Sequence, residues 1–365
     1  MGAGELLGRV SMSDHEPMVA SGAQAEQKAA TVAAAAPPPA ALQQPMQSLF
    51  AYPVTGPLFA LIVIFVVFSL TTSTFMNAGN LSLIAQQSVV IGTLALGQTL
   101  IILVSGVDLA DGAIMVLGTV VAGSIAEHGD ALLAMTLGFV ACVVVASING
   151  LVVACFRLPS FIATLGMFTI IAAAARLYSQ SQSFPVTSDL LSVLGSGPEF
   201  GTAAVTYGTM LWAVLTLVLG YALNETAWGL HVYAIGNSPG AARLNGVNVT
   251  RVAFSVYALA GVFYAFAAWQ ALGRTPVADP SGYQIANLDS ITAVVIGGTS
   301  LFGGRGGVAG TFIGTLIVVA LKNGLTQAGI DSLYQEIATG GLVMLAVGAD
   351  QYLGRGHHIG QGYRT

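Results

Sequence analysis

Long apolar runs alternate with short polar connections from residue 57 onward. The runs fall at 57–75, 82–104, 111–126, 131–155, 161–179, 207–223, 251–272, 288–303, 307–323 and 336–353. About 20 apolar residues in a helix cross the roughly 30 Å hydrocarbon core of a bilayer. None of the runs shows the two-residue alternation of a membrane barrel strand. The pattern predicts an all-α polytopic membrane protein with about ten transmembrane helices. The third and eighth runs are short and interrupted by glycine. Such segments are expected to be broken or re-entrant and to line a cavity.

Residues 1–47 are different in kind. They are polar, then rich in Ala, Pro and Gln, with no apolar period, and predict a disordered tail. They lack the charged start and apolar core of a secretory signal. The chain thus divides into a tail over 1–47, a membrane body over 48–353 and a second tail over 354–365.

Composition agrees. The chain is 55% hydrophobic and only 7% charged, with mean hydropathy +0.79. Soluble domains carry roughly 25% charged residues, so a soluble fold is excluded. Cys142 and Cys155 fall in one predicted helix, roughly 20 Å apart, too far to bridge. Both read as small apolar residues. Net charge says nothing about partners.

Lys and Arg orient the body. With the N-terminus in the cytoplasm and ten passes, Arg9, Lys28, Arg157, Arg243, Arg251, Arg305, Arg355 and Arg364 lie inside, and Arg176, Arg274 and Lys322 outside. This favours both termini cytoplasmic. Residues 224–250 then form the longest inward loop. Within it, Ser238-Pro239 carries a helix start, and Ala241, Ala242, Arg243 and Leu244 favour helix. Asn245-Gly246 supplies a left-handed stop. The loop reads either as a docking element or as a turn over the mouth of the bundle.

No Gly-x-x-x-x-Gly-Lys-Ser/Thr loop is present, and the only lysines are Lys28 and Lys322. Without it this chain has no phosphate cradle of that kind. Energy is expected from a separate subunit or an ion gradient. No His-x-x-x-His, Cys-x-x-Cys or Gly-x-Ser-x-Gly motif occurs. No metal site, no cofactor in this chain and no enzymatic chemistry are expected. His357-His358 reads as a solvated pair.

Ionisable groups within a bilayer are expensive and so are candidate sites. Asp108 and Asp111 flank the turn between the second and third runs. Asp108 reads as a structural latch, a pathway wall or an aqueous loop carboxylate. Asp289 opens the eighth run and reads as a helix cap or a gate. Gly297, Gly298, Gly303 and Gly304 allow close packing or a hinge, and Thr299 and Ser300 offer hydroxyls to a pathway. Asn149 is expected to bond a neighbouring helix. Trp212, Tyr221, Trp228 and Trp269 suit anchoring at the membrane interface. Few charges and many hydroxyls suit a neutral polyol or sugar, held weakly enough to leave.

Four stretches carry a resemblance. Residues 229–249, with Gly236-Asn237-Ser238-Pro239-Gly240-Ala241-Ala242-Arg243-Leu244-Asn245-Gly246 at their centre, resemble the cytoplasmic coupling loop of bacterial ABC-importer permeases of the ribose/xylose/arabinose type. Residues 105–109, 158–167 and 288–306 resemble, in order, that family's Gly-Ile-Asp-Leu-Ser, Pro-x-Phe-Ile-Ala-Thr-Leu-Gly and Gly-Gly-Thr-Ser-x-x-Gly-Gly segments. The likeness covers roughly 50–353. It departs where the family carries Glu-Leu-Asp and this chain has Asn287-Leu288-Asp289. The resemblance implies an inner-membrane permease subunit importing a pentose or hexose. It implies docking through Gly236, Asn237, Ser238, Pro239, Ala241, Ala242, Arg243 and Gly246 on a cytoplasmic ATPase that uses ATP and Mg. It also implies a periplasmic sugar-binding protein and a second permease subunit, most simply a second copy, within the lipid bilayer. Nucleic acid has no role. Other substrates on the same machine are a branched-chain amino acid, a nucleoside or another polyol. A gradient-driven secondary transporter is the reading from another class.

Overall fold

The structure, a computed structural model, describes residues 54–359. The expected N-terminal tail lies outside them, as do residues 360–365 and the side chains of His357 and His358. Thirteen α-helices follow in chain order among the described residues. They are α1 (Thr55–Thr71), α2 (Ala78–Leu103), α3 (Asp111–Ala126), α4 (Ala131–Phe156), α5 (Ser160–Ser179), α6 (Asp189–Ser192), α7 (Tyr207–Glu225), α8 (Ala227–Asn237), α9 (Pro239–Leu244), α10 (Val249–Arg274), α11 (Ala286–Ile296), α12 (Val308–Gln327) and α13 (Ser332–Ile359). Strand is confined to two-residue pieces. β1 (Phe184–Pro185) pairs antiparallel with β4 (Val277–Ala278), and β2 (Glu199–Phe200) with β3 (Ala203–Ala204).

Six of the helices, α2, α4, α5, α7, α10 and α12, are long and apolar enough to cross a membrane. Helices α1, α3 and α11 are shorter and apolar. The chain is an all-α polytopic membrane protein. Its helices start where polar connections supply caps: Asn77 accepts from the Gly79 amide, Asp130 from Leu133 and Asn248 from Arg251. The run expected over 288–303 is an 11-residue helix, α11. It is followed by a glycine-rich non-helical stretch, 297–307. The last run, expected to end at 353, continues helically to Ile359.

The connections form two sets. Residues 104–110, 157–159, 226–248 and 297–307 gather at one end, through bonds such as Leu103–Gly304, Ser105–Gly236 and Val107–Ser160. Residues 72–77, 180–206, 275–285 and 328–331 gather at the other. There Ser82 bonds Ala204, Val186 bonds Pro276 and Trp269 bonds Leu190. The first set carries Arg157, Arg243 and Arg305 and the buried Asp108, with Arg251 and Glu225 on the adjoining helices. The second carries Asp189, Glu199, Asp279 and Asp331.

Lipid tails are as apolar as leucine, so helices in a bilayer associate through close packing. Helix α10 sits at the centre. A Cβ added at Gly261 would lie 2.7 Å from the Ala146 methyl, and one at Gly150 would lie 2.6 Å from Tyr257 Cβ. These glycines bring α4 and α10 together. On the opposite face of α4, Leu132, Val140, Val144, Ile148 and Leu151 are exposed, as suits a lipid-facing surface. Trp212 does not anchor at an interface. It is 2% exposed and stacks on Phe312 at 4.4 Å between centroids, in a slot opened by Gly92. Cys142 is buried as expected, whereas Cys155 is exposed.

Candidate functional site

The third run, expected to be broken or re-entrant, is a continuous helix, α3, and the break lies before it, between α2 and α3. Residues 104–110 leave the helix, yet Gly106, Asp108 and Ala110 are buried. Non-helical backbone at membrane depth is tolerated only if each polar group finds a partner inside the protein. Here each peptide group from 107 to 110 does. The Val107 amide donates to Ser160 Oγ at 3.1 Å, and the Val107 carbonyl accepts from Thr164 Oγ1 at 3.1 Å. With its amide nitrogen turned toward the Asp108 carbonyl, Gln98 brackets that residue's backbone with two 3.2 Å bonds. The Leu109 amide donates to Thr164 Oγ1 at 3.1 Å, and its carbonyl accepts from Asn287 Nδ2 at 3.1 Å. The Ala110 amide donates to Asp108 Oδ1 at 2.8 Å. Its carbonyl accepts from Ile114 at 2.8 Å and so opens α3. Side chains from α2, α5 and α11 thus do for this segment what a helix does for itself.

This accounts for two of the resembling stretches, 105–109 and 158–167, and for the departure at Asn287. Ser160 and Thr164 are four residues apart in residues 158–167, so they share a face of α5. Asn287 stands where the resembled family carries Glu, and its amide performs a donor's task that an ionised carboxylate cannot.

Asp108 and Asp111 are fully buried, which removes the aqueous reading. Asp108 Oδ2 accepts from Tyr264 Oη at 3.1 Å. Asp111 accepts from Ser290 Oγ at 2.5 Å and from the Gly112 amide at 2.7 Å. The pair therefore latches α2–α3 to α10 and α11 through neutral donors. Asp289 is not a helix cap. It lies within the first turn of α11, and both its oxygens accept from Lys322 Nζ at 2.6 Å. This is the single ion pair among the described residues, and it lies toward the acidic end.

Asn149 does not bond a neighbouring helix. It is buried, and neither amide atom has a hydrogen-bond partner among the described residues. Gly297 packs against the Gly310 backbone, joining α11 to α12. Gly298, Gly303 and Gly304 adopt φ of 86°, 84° and 70°, so the stretch turns back on itself as only glycine does readily. Thr299 is buried within this turn against Gly306, with its hydroxyl unpartnered among the described residues. The Ser300 amide closes the turn on the Arg305 carbonyl at 3.0 Å.

The polar loop holds two helices, α8 and α9. Ser238 caps α9 by accepting from Ala241, Pro239 occupies its first turn, and Gly246 ends it at φ 82°. Ala242 is buried, while Ala241, Arg243 and Leu244 are exposed. Gly236 is also buried. A side chain there would collide with the Leu103 carbonyl and the Gly304 amide. Around it, Ser105 Oγ lies 3.1 Å from the Gly236 carbonyl and 2.8 Å from that of Phe302. Asn237 Nδ2 donates to the Tyr233 carbonyl at 3.0 Å and reaches that of Gly304 at 3.4 Å. The Gly304 amide donates to the Leu103 carbonyl at 3.0 Å. Tyr233 Oη donates to the Gly306 carbonyl at 3.0 Å. Burial raises the Tyr233 phenol above its ordinary pKa, which keeps it a donor. The end of α8, the glycine turn and the start of the broken span are therefore one hydrogen-bonded unit, and α9 follows it directly at the Ser238 cap. Sequence reasoning missed Gln98, Ser105, Ser160, Thr164, Tyr264 and Lys322 as members of these networks. Three of them, Ser105, Ser160 and Thr164, lie in the stretches that carried the resemblance.

Comparisons with known proteins bear on this arrangement. The family described as "Branched-chain amino acid transport system / permease component" matches residues 80–347. The fructose import permease protein of Rhizobium meliloti is 40% identical over 320 residues, covering 86% of this chain and 89% of its own. The ribose import permease protein of Escherichia coli K12 is 35% identical over 300 residues, covering 80% and 92%. The galactose/methyl galactoside import permease protein of Haemophilus influenzae is 32% identical over 309 residues, covering 80% and 92%. No solved structure matches the chain.

Proposed function

The chain belongs to the permease-component family of branched-chain amino acid transport systems, and from that premise we propose that it is the transmembrane subunit of an ATP-driven ABC importer for a monosaccharide. The relatives named above are permeases for fructose, ribose and galactose, which favours a sugar over the amino acid in the family's title. The observation that carries the mechanism is the hydrogen-bonded unit joining the end of α8, from which α9 follows at Ser238, to residues 103–106. A cytoplasmic ATPase seated on α9 acts on this unit as it closes on ATP and Mg. Gly236 and Ser105 pass the displacement to the broken span. The latch formed by Asp108, Asp111, Tyr264 and Ser290 keeps that span in register with α10 and α11. A unit moving as one body needs only a differential preference of the ATPase for one of its two positions.

In this reading the body crosses the bacterial inner membrane ten times. The arginine-bearing end and both termini face the cytoplasm, as the positive-inside rule favours. The acidic end receives sugar from a periplasmic binding protein. A second copy of the chain completes the pathway. The chain itself performs no hydrolysis.

A mild-detergent pull-down of tagged chain from native membranes, read by mass spectrometry, tests this. The expected result is recovery of an ATPase bearing a phosphate-binding Gly-x-x-x-x-Gly-Lys-Ser/Thr loop, lost on Arg243→Glu. A clean preparation without an ATPase contradicts the reading.

A further inference from the structure

The helix α9 does not stand alone at its end of the molecule. Beside it the glycine turn projects Phe302, an aromatic side chain that is 67% exposed. Arg305, also exposed, lies three residues on. Two bonds fix that tip: the Gly303 amide to the Ser300 carbonyl and the Ser300 amide to the Arg305 carbonyl, each at 3.0 Å. Its backbone is then tied to the docking loop. The Phe302 carbonyl takes the Ser105 hydroxyl, and Gly304 meets Asn237, two residues before α9 begins. On α9 itself Leu244 is 91% exposed and Arg243 is exposed beside it. Each of the two exposed apolar side chains, Leu244 and Phe302, thus has an exposed arginine close by in sequence, Arg243 and Arg305. Neither arginine is in an ion pair among the described residues.

We infer that the turn 300–305 is a second contact for the ATPase subunit, forming one docking surface with α9. This rests on the function proposed above. The surface fits a groove with apolar pockets for Leu244 and Phe302 and an acidic rim for Arg243 and Arg305. Charge complementarity favours a protein with such a rim. The exposed charges of the connections at this end are Arg157, Arg243 and Arg305, with Arg251 and Glu225 on the adjoining helices and Asp108 buried. Buried aromatic and leucine anchors supply affinity, and rim charges supply orientation and rate. Because the turn connects α11 to α12, which pack together at Gly297 and Gly310, contact there gives the ATPase a direct hold on a second pair of helices.

The test uses the full chain carrying Cys155→Ser and Phe302→Cys, in which α9 with Leu244 still holds the ATPase, with a membrane-impermeant maleimide as probe of the introduced thiol. Labelling is compared for the chain alone, the chain with the ATPase recovered from native membranes, and the chain in phosphatidylglycerol vesicles without ATPase. The expected result is rapid labelling of the first, at least tenfold protection in the second and none in the third. Adding Arg305→Glu should lower ATPase retention about tenfold while the introduced thiol still labels in the free chain. Equal labelling with and without a bound ATPase overturns the inference and leaves the α9 contact standing. Protection by the anionic vesicles alone overturns it in favour of a lipid contact. Failure of the unmodified chain to retain any ATPase overturns the importer reading itself and this inference with it.

Discussion

Two regions of this protein hold acidic groups within the apolar body, and they do so by opposite means. Around residues 104–110, two carboxylates and four consecutive peptide groups are satisfied by hydroxyls, amides and a phenol drawn from four helices. At Asp289 a single carboxylate is satisfied by a single cation, Lys322. The first arrangement is distributed, and the loss of one donor leaves neighbours in place. The second is all or nothing, since removing one partner strands a buried charge. A segment that must shift without coming apart suits distributed neutral bonds. An ion pair suits a fixed clamp between α11 and α12.

The comparison breaks most sharply at the clamp. Asp289 keeps only 5% of its side chain exposed, against 23% for Lys322. Lys322→Ala should therefore destabilise the protein by about 3–5 kcal/mol, the cost typical of an uncompensated buried charge. Asp289→Asn combined with Lys322→Gln should recover most of this in detergent unfolding curves. If the double variant is no better than the single one, the pair is not the clamp. Thr164→Val comes next. It strands the Leu109 amide and the Val107 carbonyl together, for an expected loss of about 2 kcal/mol, with Thr164→Ser close to wild type. Asn287→Leu strands one carbonyl and should cost about 1 kcal/mol. If the segment is a distributed unit, the Thr164 and Asn287 losses are non-additive in a double-mutant cycle. Additive losses would mean that each bond stands alone. The smallest effect belongs outside both regions. Ser124→Ala removes a bond to Tyr178 at the exposed rim and should change stability by less than about 0.5 kcal/mol.

What the sequence reveals follows from the range of each interaction. The spans, the helix start at Ser238-Pro239 and the stop at Gly246 are local, and their patterns are legible. The break at 104–110 is legible as glycine and aspartate intruding on an apolar run. Its partners are not, because Thr164 and Asn287 lie 55 and 178 residues from Leu109. Asp289 reads as a cap while its cation, 33 residues away, is out of view. Trp212 reads as an interfacial anchor because tryptophan favours that zone on average. The glycine that opens its slot, Gly92, is on another helix. The exposure of Arg243 and Leu244 is legible from the polar loop around them. The burial of Gly236 and Ala242 is not: Gly236 is covered by Leu103 and Gly304, both far off in sequence.

The account turns on a surface helix that drives a membrane segment through the contact at Gly236. Its most direct test is uptake into proteoliposomes holding the chain, its ATPase and its binding protein, using labelled fructose, ribose, galactose and arabinose. The account predicts uptake of at least one of these that requires ATP, with Gly236→Val abolishing uptake while the chain remains folded and in the membrane. ATP-independent accumulation by the chain alone, or undiminished uptake by Gly236→Val, would contradict it.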